Sequence, residues 1–163
     1  MKSLRLAGCC ILAATLAISP TFTFAEEAAM PVIDTVAYVQ SFEAVFNGHD
    51  TAAAAALITA DFVDHAPWPG QTPDLAGFQA GLAEMLVAFP DLKVEVERTV
   101  SEGDMLTAHF ILSGTHLGPF MAVPASGKTF RAEAIDILRM REGRIAEHWG
   151  VIDAAAIMQQ LGL

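Results

Sequence analysis

The chain has 163 residues, 53% hydrophobic and 17% charged, with a formal net charge of −10. That length builds one compact domain with a real core and leaves too little for two. The acidic balance argues against nucleic acid and anionic lipid as partners, because both reward positive patches.

Residues 1–25 read as a secretory signal peptide and residues 26–163 as a single domain. Lys2 and Arg5 precede an apolar run from Leu6 to Ile18, and Thr23-Phe24-Ala25 ends on a small residue before Glu26 and Glu27. The run is too short for a comfortable membrane span. Cleavage is therefore expected after Ala25, giving a secreted or periplasmic protein with no membrane attachment. Loss of Lys2 and Arg5 takes the charge from −10 to −12. Both cysteines, Cys9 and Cys10, fall inside the signal. Disulfides, thiolate metal sites and cysteine nucleophiles are thereby excluded from the exported domain.

Pro31 to Asn47 reads as a first helix. Val32, Val36, Val39, Phe42 and Phe46 recur at helical steps, Pro31 suits a first turn and Gly48 a stop. Asp50 can cap an alanine-rich second helix from Thr51 to about Ile58. Asp61 to His65 is a short extended piece, followed by a loop, Ala66 to Pro73, that carries Trp68. Asp74 can cap a third helix whose Leu75, Phe78, Leu82, Met85 and Phe89 form one stripe before Pro90 ends it.

After Pro90 the period changes to alternation. Lys93 to Arg98 is a strand, turned at Ser101 to Asp104 into a second strand reaching Ser113. A loop from Gly114 to Gly127 leads into Lys128 to Asp153, which reads as a β-hairpin about a three-residue loop, Arg141 to Gly143, with Gly143 left-handed. Counting outward from a Met140–Arg144 pair sets Leu138 opposite Ala146, Asp136 opposite His148, Ala134 opposite Gly150 and Ala132 opposite Ile152. These side chains share one face. The opposite face is rich in charge, so this one is expected to turn inward. Asp153 caps a final short helix to Leu161. The whole is an α+β domain, three helices packed on a curved antiparallel four-stranded sheet, with a short C-terminal helix.

The residues most able to do chemistry are Asp136 and His148. Facing each other, they could form a carboxylate–imidazole pair in which Asp136 fixes the tautomer and His148 takes a proton with its other nitrogen. A structural pair satisfying itself in the core is the plainer alternative. Only one of Asp64 and His65 can face the interior. Trp68 is either a lid or an anchor for its loop. His116, after Gly114-Thr115, is placed at the pocket mouth or in solvent, while His49 and His109 read as surface residues. Trp149 is expected on the outer face, under a partner subunit or the C-terminal helix. The histidines lack His-x-x-x-His spacing, so no metal is expected.

Phe46-Asn47-Gly48-His49-Asp50, Asp61-Phe62-Val63-Asp64-His65, Ala88-Phe89-Pro90-Asp91, Gly114-Thr115-His116, Asp136-Ile137-Leu138-Arg139 and Gly143 to Trp149 together resemble the SnoaL-like polyketide cyclases, or ester cyclases. The resemblance implies the cone-shaped fold named after nuclear transport factor 2, a small-molecule pocket between helices and sheet, a dimer or higher oligomer, and no metal or organic cofactor. It also implies acid/base ring closure of a polyketide ester. Matched through Gly143, Ile145 and His148, the acid/base aspartate of those cyclases falls on Gly150. Their pocket histidine and glutamine fall on Asp136 and Ala134, and a pocket asparagine on Asp64. Asp136, His148 and Asp64 are thus the expected catalytic residues, and His65, Trp68, His116, Ala134 and Gly150 the expected substrate contacts. A non-catalytic binding module and a dimeric scaffold are the alternatives to an enzyme.

Overall fold

The computed structural model describes residues 32–162; the expected signal peptide and its expected cleavage after Ala25, both cysteines and the expected helical start at Pro31 lie outside the described residues. Helix α1 (Thr35–Asn47) begins where the Asp34 carboxylate accepts the Ala37 N–H at 2.9 Å. Apolar spacing marks a stripe and not an end, so the expected span overshot this cap. Asp50, Asp74 and Asp153 cap α2 (Thr51–Ala56), α3 (Leu75–Ala88) and α4 (Ala154–Leu161) by the same means. Helix α2 stops short of Ile58 because Ile58 already opens a strand.

The sheet has five strands, one more than expected. They are β1 (Ile58–Asp64), β2 (Lys93–Glu102), β3 (Met105–Thr115), β4 (Thr129–Arg141) and β5 (Arg144–Ile152), in the order β1-β5-β4-β3-β2. β1 is the extended piece foreseen near Asp61, and it joins the sheet by pairing parallel to β5, which sets Asp64 beside His148. A parallel partner so distant in sequence leaves no local periodic trace. The β2–β3 turn tightens to Gly103 and Asp104, since Glu102 pairs with Met105. Helix α1 covers the free edge of β2: Asn47 both donates to the Val94 carbonyl and accepts its N–H, and Glu43 accepts the Val96 N–H at 2.6 Å. That satisfies backbone groups an edge strand would otherwise expose.

The β4–β5 register differs from the expected one. Glu142 and Gly143 form a two-residue turn with φ of 53° and 75°, so Arg141 pairs with Arg144 and Met140 with Ile145. A bulge then inserts Ala146, after which Arg139 pairs with Glu147, Leu138 with His148, Asp136 with Gly150 and Ala134 with Ile152. Turn and bulge each move the pairing by one residue. Together they move it by two, which preserves which side chains turn inward but slides His148 two residues along, opposite Leu138. Ile145, just before the bulge, turns into the core.

The inward face is the expected one. Leu106, Ala108 and Phe110 of β3 and Ala132, Ala134 and Leu138 of β4 are buried under the helices. Among the described residues no helix is long and apolar enough to cross a membrane.

Candidate functional site

A cavity of about 1200 Å³ lies between the helices and the inner face of the sheet. Its wall is mostly apolar, with Phe42, Phe46, Phe62, Phe78 and Phe120 among the lining side chains. Small residues create part of this space: Ala134 and Gly150, both in the wall, leave room where larger side chains would fill the cone.

Asp64, Asp136 and His148 meet in that wall. His148 Nδ1 stands 2.8 Å from Asp64 Oδ1, and Nε2 stands 3.2 Å from Asp136 Oδ1. The first contact follows from the β1–β5 pairing, which is secured by the His65 N–H donating to the His148 carbonyl at 2.8 Å. The second is diagonal. Asp136 faces Gly150, and a Cβ at Gly150 would lie 2.6 Å from His148 Nε2 and 2.9 Å from Asp136 Oδ1. The missing side chain is therefore the space through which imidazole and carboxylate reach each other. The Asp64 oxygen that holds His148 also accepts the Ala66 N–H at 2.9 Å.

This geometry changes the role expected for His148. Burial pushes its pKa down, but the Asp136 and then the Asp64 carboxylates outweigh that and hold it at about 9. Both ring nitrogens face carboxylate oxygens, an arrangement that favours the imidazolium near neutral pH. Such a ring has no lone pair, so it cannot be the resting proton acceptor. The acceptor lone pairs of the cluster then lie on the two carboxylates, of which Asp136 is the more open. Its contact with His148 is the longer one, its side chain is 17% exposed against 9% for Asp64, and no donor among the described residues hydrogen-bonds its second oxygen.

The other expected contacts divide. Ala134, Gly150 and Trp68 line the cavity, and Trp68 also anchors its loop by packing edge-on against Phe120 at 6.0 Å. Asp64 is the member of its pair that faces inward. His65 points the opposite way, with its ring stacked on Trp149 at 4.3 Å and Nε2 2.8 Å from Glu147 Oε2 on the outer face. It does not line the cavity. Trp149 thus packs against His65 and not under the C-terminal helix. His116 is neither at the mouth nor in solvent: it is fully buried behind the wall, 5.6 Å from the Phe89 ring, with Nδ1 on Ser126 Oγ. Next to it, Thr115 donates its N–H and its hydroxyl to the Asp91 carboxylate. His49 and His109 are partly sheltered, by the Leu92 carbonyl and Glu133 respectively.

Sequence reading passed over Tyr38, the chain's single tyrosine. It sits on α1 against the core on either side of Asp136, and its hydroxyl is buried without a partner among the described residues. A polar ring within an apolar helical stripe was the available signal.

The family described as SnoaL-like polyketide cyclase matches residues 36–161. Aklanonic acid methyl ester cyclase DnrD of Streptomyces peucetius is 30% identical over 94 residues, covering 55% of this chain and 65% of that protein. Nogalonic acid methyl ester cyclase of Streptomyces nogalater is 26% identical over 72 residues, covering 44% of this chain and 54% of that one. The chain spans between 54% and 65% of the length of the curated relatives it matches. Among solved structures, TsrD from Streptomyces laurentii superposes with a TM-score of 0.71 at 27% identity, over 78% of this chain and 94% of that one.

Proposed function

The chain belongs to the SnoaL-like polyketide cyclase family, and from that premise we propose that it is an exported acid/base enzyme acting, without a cofactor, on a small and largely apolar carbonyl compound. The observation that carries this reading is the Asp64–His148–Asp136 cluster in the wall of an apolar cavity of about 1200 Å³. Asp136 takes a proton from the carbon beside a carbonyl. The His148 N–H that faces Asp136 turns to the carbonyl oxygen and stabilises the enolate as charge develops there. The enolate carbon attacks a second carbonyl of the same molecule, one C–C bond forms, and the new alkoxide recovers the proton from Asp136. Asp64 stays bonded to Nδ1 and fixes the ring. The relatives named above are methyl ester cyclases, which favours an ester-bearing ketone as substrate.

Export rests on the sequence of residues 1–25. The homodimer is assigned to the outer sheet face, where Ile135, Ile137 and Val151 are 47%, 41% and 75% exposed around Trp149. An apolar patch on a sheet face suits a second copy of the same patch.

The test is proton exchange at carbon: the mature protein is incubated with 2-tetralone in deuterated buffer and loss of the α-proton signals is followed by NMR. Faster exchange than buffer, abolished by Asp136→Asn, supports the enzyme. Tetralone binding retained by both proteins with no exchange above buffer would favour the binding-module reading instead.

A further inference from the structure

Asp136 sits at the centre of the inner face, with Ala134 and Leu138 as its same-face neighbours along β4, Ala108 opposite on β3 and Gly150 opposite on β5. Tyr38 packs against both groups that flank it, the one holding Ala108 and Ala134 and the one holding Leu106 and Leu138. Its ring is stacked on Phe42 at 5.4 Å. The hydroxyl oxygen is buried and makes no hydrogen bond among the described residues. Leaving a buried hydroxyl unsatisfied is unfavourable, so a state in which it is bonded is favoured once available. Burial first, and then the negative charge of Asp136, push the phenol above its usual range and keep it a neutral donor.

Asp136 has the complementary deficit. Among the described residues its one donor is His148 Nε2 at 3.2 Å, and that donor is the group the reaction needs at the carbonyl oxygen. Once Nε2–H turns to substrate, the carboxylate is left without a partner in an apolar wall. We propose that Tyr38 is a positioning residue for Asp136: its hydroxyl replaces His148 as the donor to the carboxylate when substrate is bound, holding the free oxygen on the carbon-bound proton. This rests on the reading of Asp136 as the base. In the free protein Tyr38 is idle, and it acts only after His148 has let go.

The test compares wild type, Asp136→Asn and Tyr38→Phe in the 2-tetralone exchange assay, with melting temperature and the His148 NMR titration of each protein as controls. Tyr38→Phe is expected to fold and to keep the His148 titration of the free protein, because no bond is lost there. Its kcat falls about tenfold with KM little changed, the cost of one hydrogen bond to a charged group. The acidic limb of its kcat profile moves to higher pH, because a carboxylate that loses a donor becomes harder to ionise. A structural role alone would lower the melting temperature and leave that limb in place. Unchanged kcat and an unmoved limb in Tyr38→Phe, with Asp136→Asn inactive, would overturn the role of Tyr38 and leave the base assignment standing. No exchange by wild type would overturn both.

Discussion

Gly150 and His148 share one volume: the position a Gly150 Cβ would take lies 2.6 Å from His148 Nε2. Gly150→Ala should therefore displace the ring, lengthen its contact with Asp136 and lower the His148 pKa. Overpacking at such a site costs about 1–3 kcal/mol. A thermal melt with a histidine NMR titration checks both effects, and an unchanged titration would mean the ring does not occupy that space.

Removing Asp64 deprives the imidazolium of its shorter contact. Asp64→Ala is expected to destabilise the fold by about 3–5 kcal/mol, the usual consequence of stripping one partner from a buried ion pair. Asp64→Asn keeps the shape and should cost less, with the His148 pKa falling in both variants. Urea unfolding of the two variants separates charge from packing.

Stability should depend on pH through His148. Its folded pKa, about 9, lies above the ordinary 6.5, so its contribution is complete below about pH 6.5 and declines as pH rises through 9. That shift corresponds to no more than about 3 kcal/mol. Calorimetry of the mature domain between pH 6 and 10 should show the melting temperature falling across this window. His148→Gln should flatten the fall.

Ile137 pairs with Trp149 across β4 and β5 on the outer face. In the proposed homodimer, Ile137→Lys should leave a monomer without loss of melting cooperativity. Light scattering on the eluting protein reads the mass directly, and an unchanged dimer would place the interface elsewhere.

Much of the fold was legible because its signals are local. Asp50, Asp74 and Asp153 announce helix starts, Pro90 announces a stop, and the alternation from Lys93 onward announces the meander. The site was legible only in part. Asp136 and His148 stand out as polar groups on an apolar face, yet their relation depends on a two-residue turn and a bulge at Ala146 that offset each other in parity. Arg-Glu-Gly suits a turn of either length, and nothing about Ala146 distinguishes it as the extra residue. Asp64 and His148 are joined by a parallel pairing across 84 residues, which no local pattern records. His65 and His116 were misplaced for a related reason: which way a strand-end side chain turns is decided by its neighbours in space, Trp149 for one and Phe89 for the other.

The most direct measurement is the ¹⁵N NMR spectrum of His148 in the mature protein at pH 7, followed upward in pH. An imidazolium with both nitrogens protonated, titrating near 9, is expected if the two carboxylates hold the ring as a cation and leave Asp136 as the base. A neutral ring at pH 7, with one unprotonated nitrogen titrating at or below 6.5, would contradict it and return the base role to His148.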